Sequence, residues 1–135
     1  MMRRRPALFD AIRESHDEAS TLADEMRNAS ESMPEQLGRT HARAADSLEI
    51  ASEHLCDDDV PKELRDQKVE WTEMRGNGSR SARRDNVVRC LRACVECLAT
   101  APQDHGMGTL RTKWEIAINR LDYAVFPGMR GRRAA

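Results

Sequence analysis

Six arginines in one short stretch of the sequence are the first residues whose type and spacing could bind a ligand. They are Arg75, Arg80, Arg83, Arg84, Arg89 and Arg92, and the stretch contains a single acid, Asp85. Three of the arginines fall at the start of a predicted helix, where the helix dipole disfavours cations, so an anion should compensate. One interpretation is that the guanidiniums, a Gly-Ser loop and the free N–H groups of the helix end bind a phosphate or a nucleic-acid backbone. We favour the other, in which the arginines pair with acids of the same chain, because neither interleaved aromatic residues nor a reading helix is evident.

Cysteines form the second group that could carry chemistry. Cys90, Cys94 and Cys97 are spaced i, i+4, i+7, which places the three thiols on one side of a helix. With Cys56 or His54 from an earlier helix, they could supply soft ligands to zinc or copper(I). The sequence lacks a matched pair of Cys-x-x-Cys knuckles, and a buried cysteine behaves as a small hydrophobe. We therefore expect reduced cysteines packed in the core and no cofactor, with a metal site as the alternative.

Catalytic motifs are absent from the sequence. No acid stands three residues before any of the four histidines, so the Glu-x-x-His pattern of di-iron bundles is missing. Neither a Gly-x-Ser-x-Gly elbow nor a phosphate-binding loop of the Walker type occurs. A cysteine–histidine pair stays open, because such residues meet in space rather than in sequence. The sequence thus predicts a protein that is not an enzyme.

A long helical hairpin is the first of the elements that must position these groups. Apolar residues at steps of four and three over residues 8–33, interrupted by Ser15, predict a helix that begins near Pro6 and ends near residue 32. A second helix is predicted over residues 40–56, with Thr40 as its N-cap. Because the link between them is short, the two helices should pack antiparallel.

Three further helices are predicted for the rest of the chain. They cover residues 61–75, residues 81–100 and residues 109–126, and stretches rich in glycine, serine or proline separate them. The predicted fold class is therefore all-α, a small bundle of about five helices in one domain over residues 1–135. Within that domain we assign residues 6–56 to the hairpin, residues 61–126 to the three further helices, and residues 1–5 and 128–135 to basic tails.

Charge is divided unevenly between the two parts of this bundle. Residues 6–59 hold four arginines against fourteen acids, a net charge of about −10, whereas residues 60–135 have a net charge of about +6. The hairpin is therefore an acidic element and the remainder a basic one. Such segregation is typical of a surface that binds a partner or pairs within the chain.

The composition also indicates where the protein acts. No run approaches the 18 or so apolar residues that a membrane span needs, and no apolar signal region follows the first arginines. We expect a cytoplasmic protein that makes no contact with a membrane.

Several segments of the sequence resemble segments of a known group of proteins. Residues 22–26, 33–37 and 44–48 resemble a helical hairpin of short bacteriophage proteins of unknown role, and residues 79–85 and 125–129 are similar to the same group. The basic residues 130–133 depart from that pattern. The resemblance implies an origin in a phage or a mobile element and brings no catalytic residues.

Together these patterns favour a non-enzymatic interaction protein. It would bind a host macromolecule, with a protein as the favoured partner, through the acidic hairpin or the arginine stretch, and could inhibit a host process or defence system. The alternatives are binding of nucleic acid or a phosphorylated ligand at residues 75–92, and a metal-binding bundle that uses the cysteines. A homodimer stays open, because the heptad seam over residues 8–33 could be buried within one chain or between two copies.

Overall fold

The computed structural model describes residues 2–74, 78–101 and 105–126, and it is mainly helical. Its elements are strand β1 (Met2–Arg4), helices α1 (Leu8–Glu31) and α2 (Glu35–Glu53), strand β2 (Trp71–Glu73), and helices α3 (Arg80–Ala99) and α4 (His105–Tyr123). Two single 3₁₀ turns, Asp57–Asp59 and Lys62–Leu64, lie between α2 and β2. The all-α prediction is confirmed, with four helices and a minor pair of strands among the described residues.

Helix α1 follows the predicted heptad seam. Its large apolar side chains Leu8, Ile12, Leu22 and Met26 are at most 1% exposed, so the seam is buried inside the chain. The helix ends where Ser32 donates its N–H to the carbonyl oxygen of Ala29 and Met33 donates its N–H to that of Ser30, directly before Pro34. A homodimer would therefore have to use another surface.

Helix α2 begins earlier than predicted. It starts at Glu35, directly after Pro34, so Thr40 lies inside the helix and is not its N-cap. Gly38 explains why the first turn can form there. A Cβ atom at this position would lie 2.8 Å from the carbonyl oxygen of Ser30, so only glycine lets α2 approach the end of α1 this closely.

Contacts between the helices show their relative directions. Ser15 near the start of α1 contacts Cys90, whereas Glu25 towards its end contacts Arg83, so α1 and α3 are antiparallel. Helix α1 packs against α2 and α3, and α4 packs against the same two helices. The four helices therefore surround one core, with α1 and α4 on opposite sides.

The predicted helix over residues 61–75 is wrong. Helix α2 ends beside the start of α1, where Asp57 lies 4.0 Å from Arg13, but α3 begins beside the other end of α1. The connection must therefore run along the bundle, and a strand rises about 3.3 Å per residue where a helix rises only about 1.5 Å. Val69 and Trp71 are nonetheless buried, as their apolar character predicts.

Strand β2 pairs antiparallel with β1, and together they form the strand pair. Arg4 lies opposite Trp71 and Met2 lies opposite Glu73. Residues 2–4, assigned to a basic tail from sequence, are therefore part of the fold. The tail predicted over residues 128–135 lies outside the described residues.

The remaining two predicted helices are confirmed with shifted ends. Helix α3 matches its prediction to within one residue, while α4 begins four residues before Thr109. Ser47 of α2 donates a hydrogen bond of 2.6 Å to the carbonyl oxygen of Arg120, which joins α2 to α4. Among the described residues, none of the helices has both the length and the apolar character needed to cross a bilayer.

Candidate functional site

The candidate site is a cleft of about 470 Å³ between α1, α3 and the strand pair, here named the α1–α3 cleft. Its lining residues are Arg4, Glu14, Ser15, Asp17, Glu18, Thr21, Trp71, Glu73, Arg83, Asn86, Val87 and Cys90. The cleft exists because β2 runs along the bundle, next to the contact between α1 and α3. Met74, directly after β2, donates its N–H to the side-chain oxygen of Asn86 at 2.9 Å, which holds the end of the strand to α3.

Acidic side chains outnumber basic ones around this cleft. Among the described residues that line it, there are four carboxylates (Glu14, Asp17, Glu18 and Glu73) and two guanidiniums (Arg4 and Arg83). Arg83 pairs with Glu18 and also with Glu25 further along α1. The cleft therefore has an excess of negative charge that would attract a cationic ligand.

Arg4 occupies the mouth of the cleft beside the strand pair. Its guanidinium donates to Glu14 at 2.9 Å and lies 3.9 Å from a carboxylate oxygen of Glu73. The same group lies over the indole ring of its cross-strand partner Trp71, 5.3 Å from the ring centroid. This combination of an aromatic face and two carboxylates is a favourable environment for a planar cation.

The wall of the cleft includes a buried thiol. The hydroxyl of Ser15 donates a hydrogen bond to the sulfur of Cys90 at 3.7 Å. Hydrogen bonds from the thiol of Cys94 and from Ser15 lower the pKa of Cys90, because they stabilise its thiolate. The same contact with Cys90, together with burial, raises the pKa of Cys94 well above its ordinary value.

Both tryptophans contain a buried N–H without a hydrogen-bond acceptor in the described part of the chain. Trp114 is fully buried in the core, whereas Trp71 lines the cleft and is 9% exposed. A buried donor without an acceptor is uncommon in folded proteins. The two indole groups thus differ in position, because Trp71 lines the cleft and Trp114 does not.

Most of the predicted arginine site is engaged with the rest of the chain. Arg80 donates to Glu25 at 3.0 Å, and Arg83 forms two bonds with the same carboxylate at 2.9 and 3.0 Å. These bonds, that from Arg83 above all, lower the pKa of Glu25. In return, the hydrogen bond with Glu25 raises the pKa of Arg83. Ser79 caps α3 by accepting the N–H of Ala82 at 3.0 Å.

The other arginines of the stretch bind carbonyl oxygens or an exposed acid. Arg84 donates to the carbonyl oxygens of Leu121 and Ala124 at 2.7 and 3.0 Å, at the end of α4. Arg89 donates to the carbonyl oxygen of Thr72 at 2.8 Å, and Arg92 pairs with Asp122 at 3.3 Å. Arg75 lies outside the described residues. Each described arginine of the stretch therefore has a partner in the chain, and its role in ligand binding stays a prediction.

The predicted metal ligands do not converge in the structure. Cys90, Cys94 and Cys97 are buried in α3, whereas Cys56 is exposed at the end of α2. The imidazole of His54 lies 2.9 Å from the carbonyl oxygen of Ile50 in its own helix. Within the described residues, three potential ligands do meet at another place: atoms of Cys56, Asp57 and Asp58 lie within 4.8 Å of one another. That group is on the surface, where clustered acids are common without a metal.

The sequence analysis named Arg83 and Cys90 of the cleft lining but missed the other residues that define the cleft. Ser15 was visible only as a polar residue in an apolar seam, and that interruption marks the point where α1 faces Cys90. Arg4 and Trp71 meet because two distant segments form strands, a pairing that leaves no signal at short range in the sequence.

Comparison of the chain with protein families, with curated proteins and with solved structures gives no match.

Proposed function

We propose that this protein is a non-enzymatic binding protein that holds a basic segment of a protein partner in the α1–α3 cleft. The observation that supports the proposal most strongly is the excess of carboxylates around a cleft large enough for a side chain and part of a backbone. Interfaces with complementary charge gain specificity and a higher association rate.

The contents of the cleft support binding rather than catalysis. Among the described lining residues, Cys90 is the one nucleophilic thiol, and there is no histidine. Thiol catalysis normally needs a base or another activating group that is positioned by a third residue. Cys90 instead contacts Ser15 and Cys94, which are hydrogen-bond donors and not bases.

The ion pairs made by the arginine stretch favour the α1–α3 cleft as the binding surface. Binding of a nucleic-acid backbone by Arg80 and Arg83 would require both to leave Glu25, and a phosphate would then face an unpaired carboxylate. The carboxylates that line the cleft outnumber its guanidiniums among the described residues, so the cleft attracts a basic partner before any ion pair is exchanged. The resemblance of several segments to bacteriophage proteins is the reason to look for that partner among host proteins, where binding would interfere with a host process.

Capture from a bacterial lysate tests the proposal. Three forms of the full chain serve as bait: the wild type, a cleft variant with Glu14→Gln and Asp17→Asn, and a control variant with Glu31→Gln and Glu35→Gln. The control removes the same charge from exposed residues at the turn between α1 and α2. We expect one protein to be retained in stoichiometric amount by the wild type and the control and to be lost by the cleft variant. Equal retention by all three forms, or no stoichiometric partner at all, would contradict the proposal.

A further inference from the structure

We propose that the site around Trp71 binds the guanidinium of an arginine from the partner, and that Arg4 occupies this site while the partner is absent. This inference rests on the proposed function for the identity of the partner. The site itself is defined by Trp71, Glu14 and Glu73, and is named the guanidinium site.

The position of Arg4 shows which chemistry the guanidinium site accepts. One of its terminal nitrogens is 2.9 Å from Glu14, the other is 3.9 Å from Glu73, and the ring of Trp71 lies beneath them. A planar guanidinium can contact two carboxylates and an aromatic face at once. The ammonium of lysine is a compact, strongly hydrated charge that lacks this fork, so the site should prefer arginine to lysine.

Arg4 can leave the guanidinium site without loss of the strand pair. Its backbone is held by pairing with β2, and only the side chain has to rotate outwards. The side chains of Arg4 and Glu14 are 33% and 54% exposed. Ion pairs this exposed to water are weak, so a second arginine delivered by a bound partner can compete with Arg4.

The charge around Arg4 favours the arrival of another cation. Among its described residues, the cleft lining contains more carboxylates than guanidiniums even when Arg4 is counted, and Asp17 extends the negative charge beyond the guanidinium site. An incoming cation would therefore meet a net negative charge at the cleft.

A titration followed by the two indole N–H signals in NMR spectra of the full chain tests the inference. The probes are Nα-acetyl-arginine amide, the lysine amide and the citrulline amide, which keeps the shape of arginine without its charge. Trp114 in the core provides an internal reference, because it is fully buried away from the cleft lining. We expect the arginine amide to shift the Trp71 signal in a saturable manner and to leave the Trp114 signal unchanged.

Variants distinguish displacement of Arg4 by the arginine amide from non-specific attraction of a cation to the acids of the cleft. In Arg4→Ala the site is empty, so the affinity for the arginine amide should rise about tenfold if Arg4 fills the site nine-tenths of the time. Arg3→Ala is the matched control, since Arg3 pairs with Glu70 and not with residues of the cleft, and its affinity should equal that of the wild type. Combined Glu14→Gln and Glu73→Gln substitutions should abolish the shift in a protein that retains Arg4 and the strand pair.

The results of the titration test the inference independently of the proposed function. A Trp71 signal that is indifferent to the arginine amide in both wild type and Arg4→Ala would overturn the inference, as would equal shifts by the citrulline amide. If a lysate partner still requires the cleft acids in that case, the proposed function stands without the guanidinium site. A specific arginine shift without any captured partner would support the site and count against the proposed function.

Discussion

Glu25 is the residue that connects the arginine stretch to the acidic hairpin. Arg80 and Arg83 both donate to its carboxylate, and Arg83 also reaches Glu18. The sequence correctly suggested pairing within the chain, because three cations at a helix start need a compensating charge. It could not identify Glu25 among fourteen acids, since that choice depends on which turn of α1 faces α3.

Neutralising Glu25 should destabilise the protein in a manner that depends on pH. Its pKa in the folded state is below the ordinary value, so the carboxylate stabilises the fold above about pH 4.5 and the stabilisation is lost as the pH falls through the folded pKa. We expect Glu25→Gln to lower the free energy of unfolding at pH 7 by about 1 kcal/mol, a small value because the pair is partly screened by solvent. Urea unfolding at a series of pH values measures this difference. Asp24→Asn, an exposed neighbour, is the control, and a loss for Glu25→Gln that stays constant with pH would contradict the assignment.

Ser15 should control the ionisation of Cys90. Its hydroxyl donates to the sulfur, and Ser15→Ala removes that donor while keeping nearly the same volume. We expect the pKa of Cys90 to rise in the variant, because the thiolate loses one of its two hydrogen bonds. The measurement is the pH dependence of iodoacetamide labelling at Cys90, read by mass spectrometry of peptides in a Cys56→Ser background. Ser52→Ala removes another buried hydroxyl, one bonded to Glu49, and should leave the labelling profile of Cys90 unchanged.

Helix α2 shows where sequence rules for an element failed and why. A cap at Thr40 is a sound expectation from local preference, yet the helix begins at Glu35 because Gly38 permits contact with the end of α1. The segment over residues 61–75 failed for a different reason, since the relative directions of α2 and α3 require an extended connection. Neither constraint is local, whereas the heptad seam of α1 is, and α1 was predicted closely.

Replacement of Gly38 by alanine should destabilise the hairpin. The added Cβ atom would meet the backbone oxygen of Ser30 at 2.8 Å, and overpacking of this kind costs about 1–3 kcal/mol. Gly108 of α4 is the matched control, because a Cβ atom there has no neighbour within 4 Å. Gly108→Ala should stabilise the protein by about 0.5–1 kcal/mol through the higher helix propensity of alanine. Thermal unfolding of both variants decides the point, and changes of the same sign would contradict the close approach of α1 and α2.

Arg84 should stabilise the end of α4. Its guanidinium binds two carbonyl oxygens there and lies 5.1 Å from the centroid of the Phe126 ring. Arg84→Met keeps part of the packing but loses both hydrogen bonds, and we expect a loss of about 1–3 kcal/mol in unfolding free energy. Arg92→Met, which removes an exposed arginine from the same helix, should cost less than about 1 kcal/mol. Equal losses in chemical denaturation would show that the carbonyl contacts contribute little.

At the scale of the whole molecule, Arg80 and Arg83 of the arginine stretch pair with acids of α1. Part of the uneven charge along the sequence is neutralised by ion pairs between α1 and α3. What remains is the excess of carboxylates around the α1–α3 cleft. The sequence could predict the helical class, the hairpin and the buried cysteines of α3. It could not predict the cleft, because that arises from a pairing between residues near 4 and residues near 71.

Native mass spectrometry of the protein purified from a bacterial host tests the binding role of the cleft most directly. One spectrum of each form reports a bound protein, nucleic acid or metal together with the oligomeric state. We expect a complex of one chain with one partner protein for the wild type and for the Glu31→Gln and Glu35→Gln control, and the bare chain for the Glu14→Gln and Asp17→Asn variant. A bare wild-type chain, or a complex that the cleft substitutions leave intact, would contradict it.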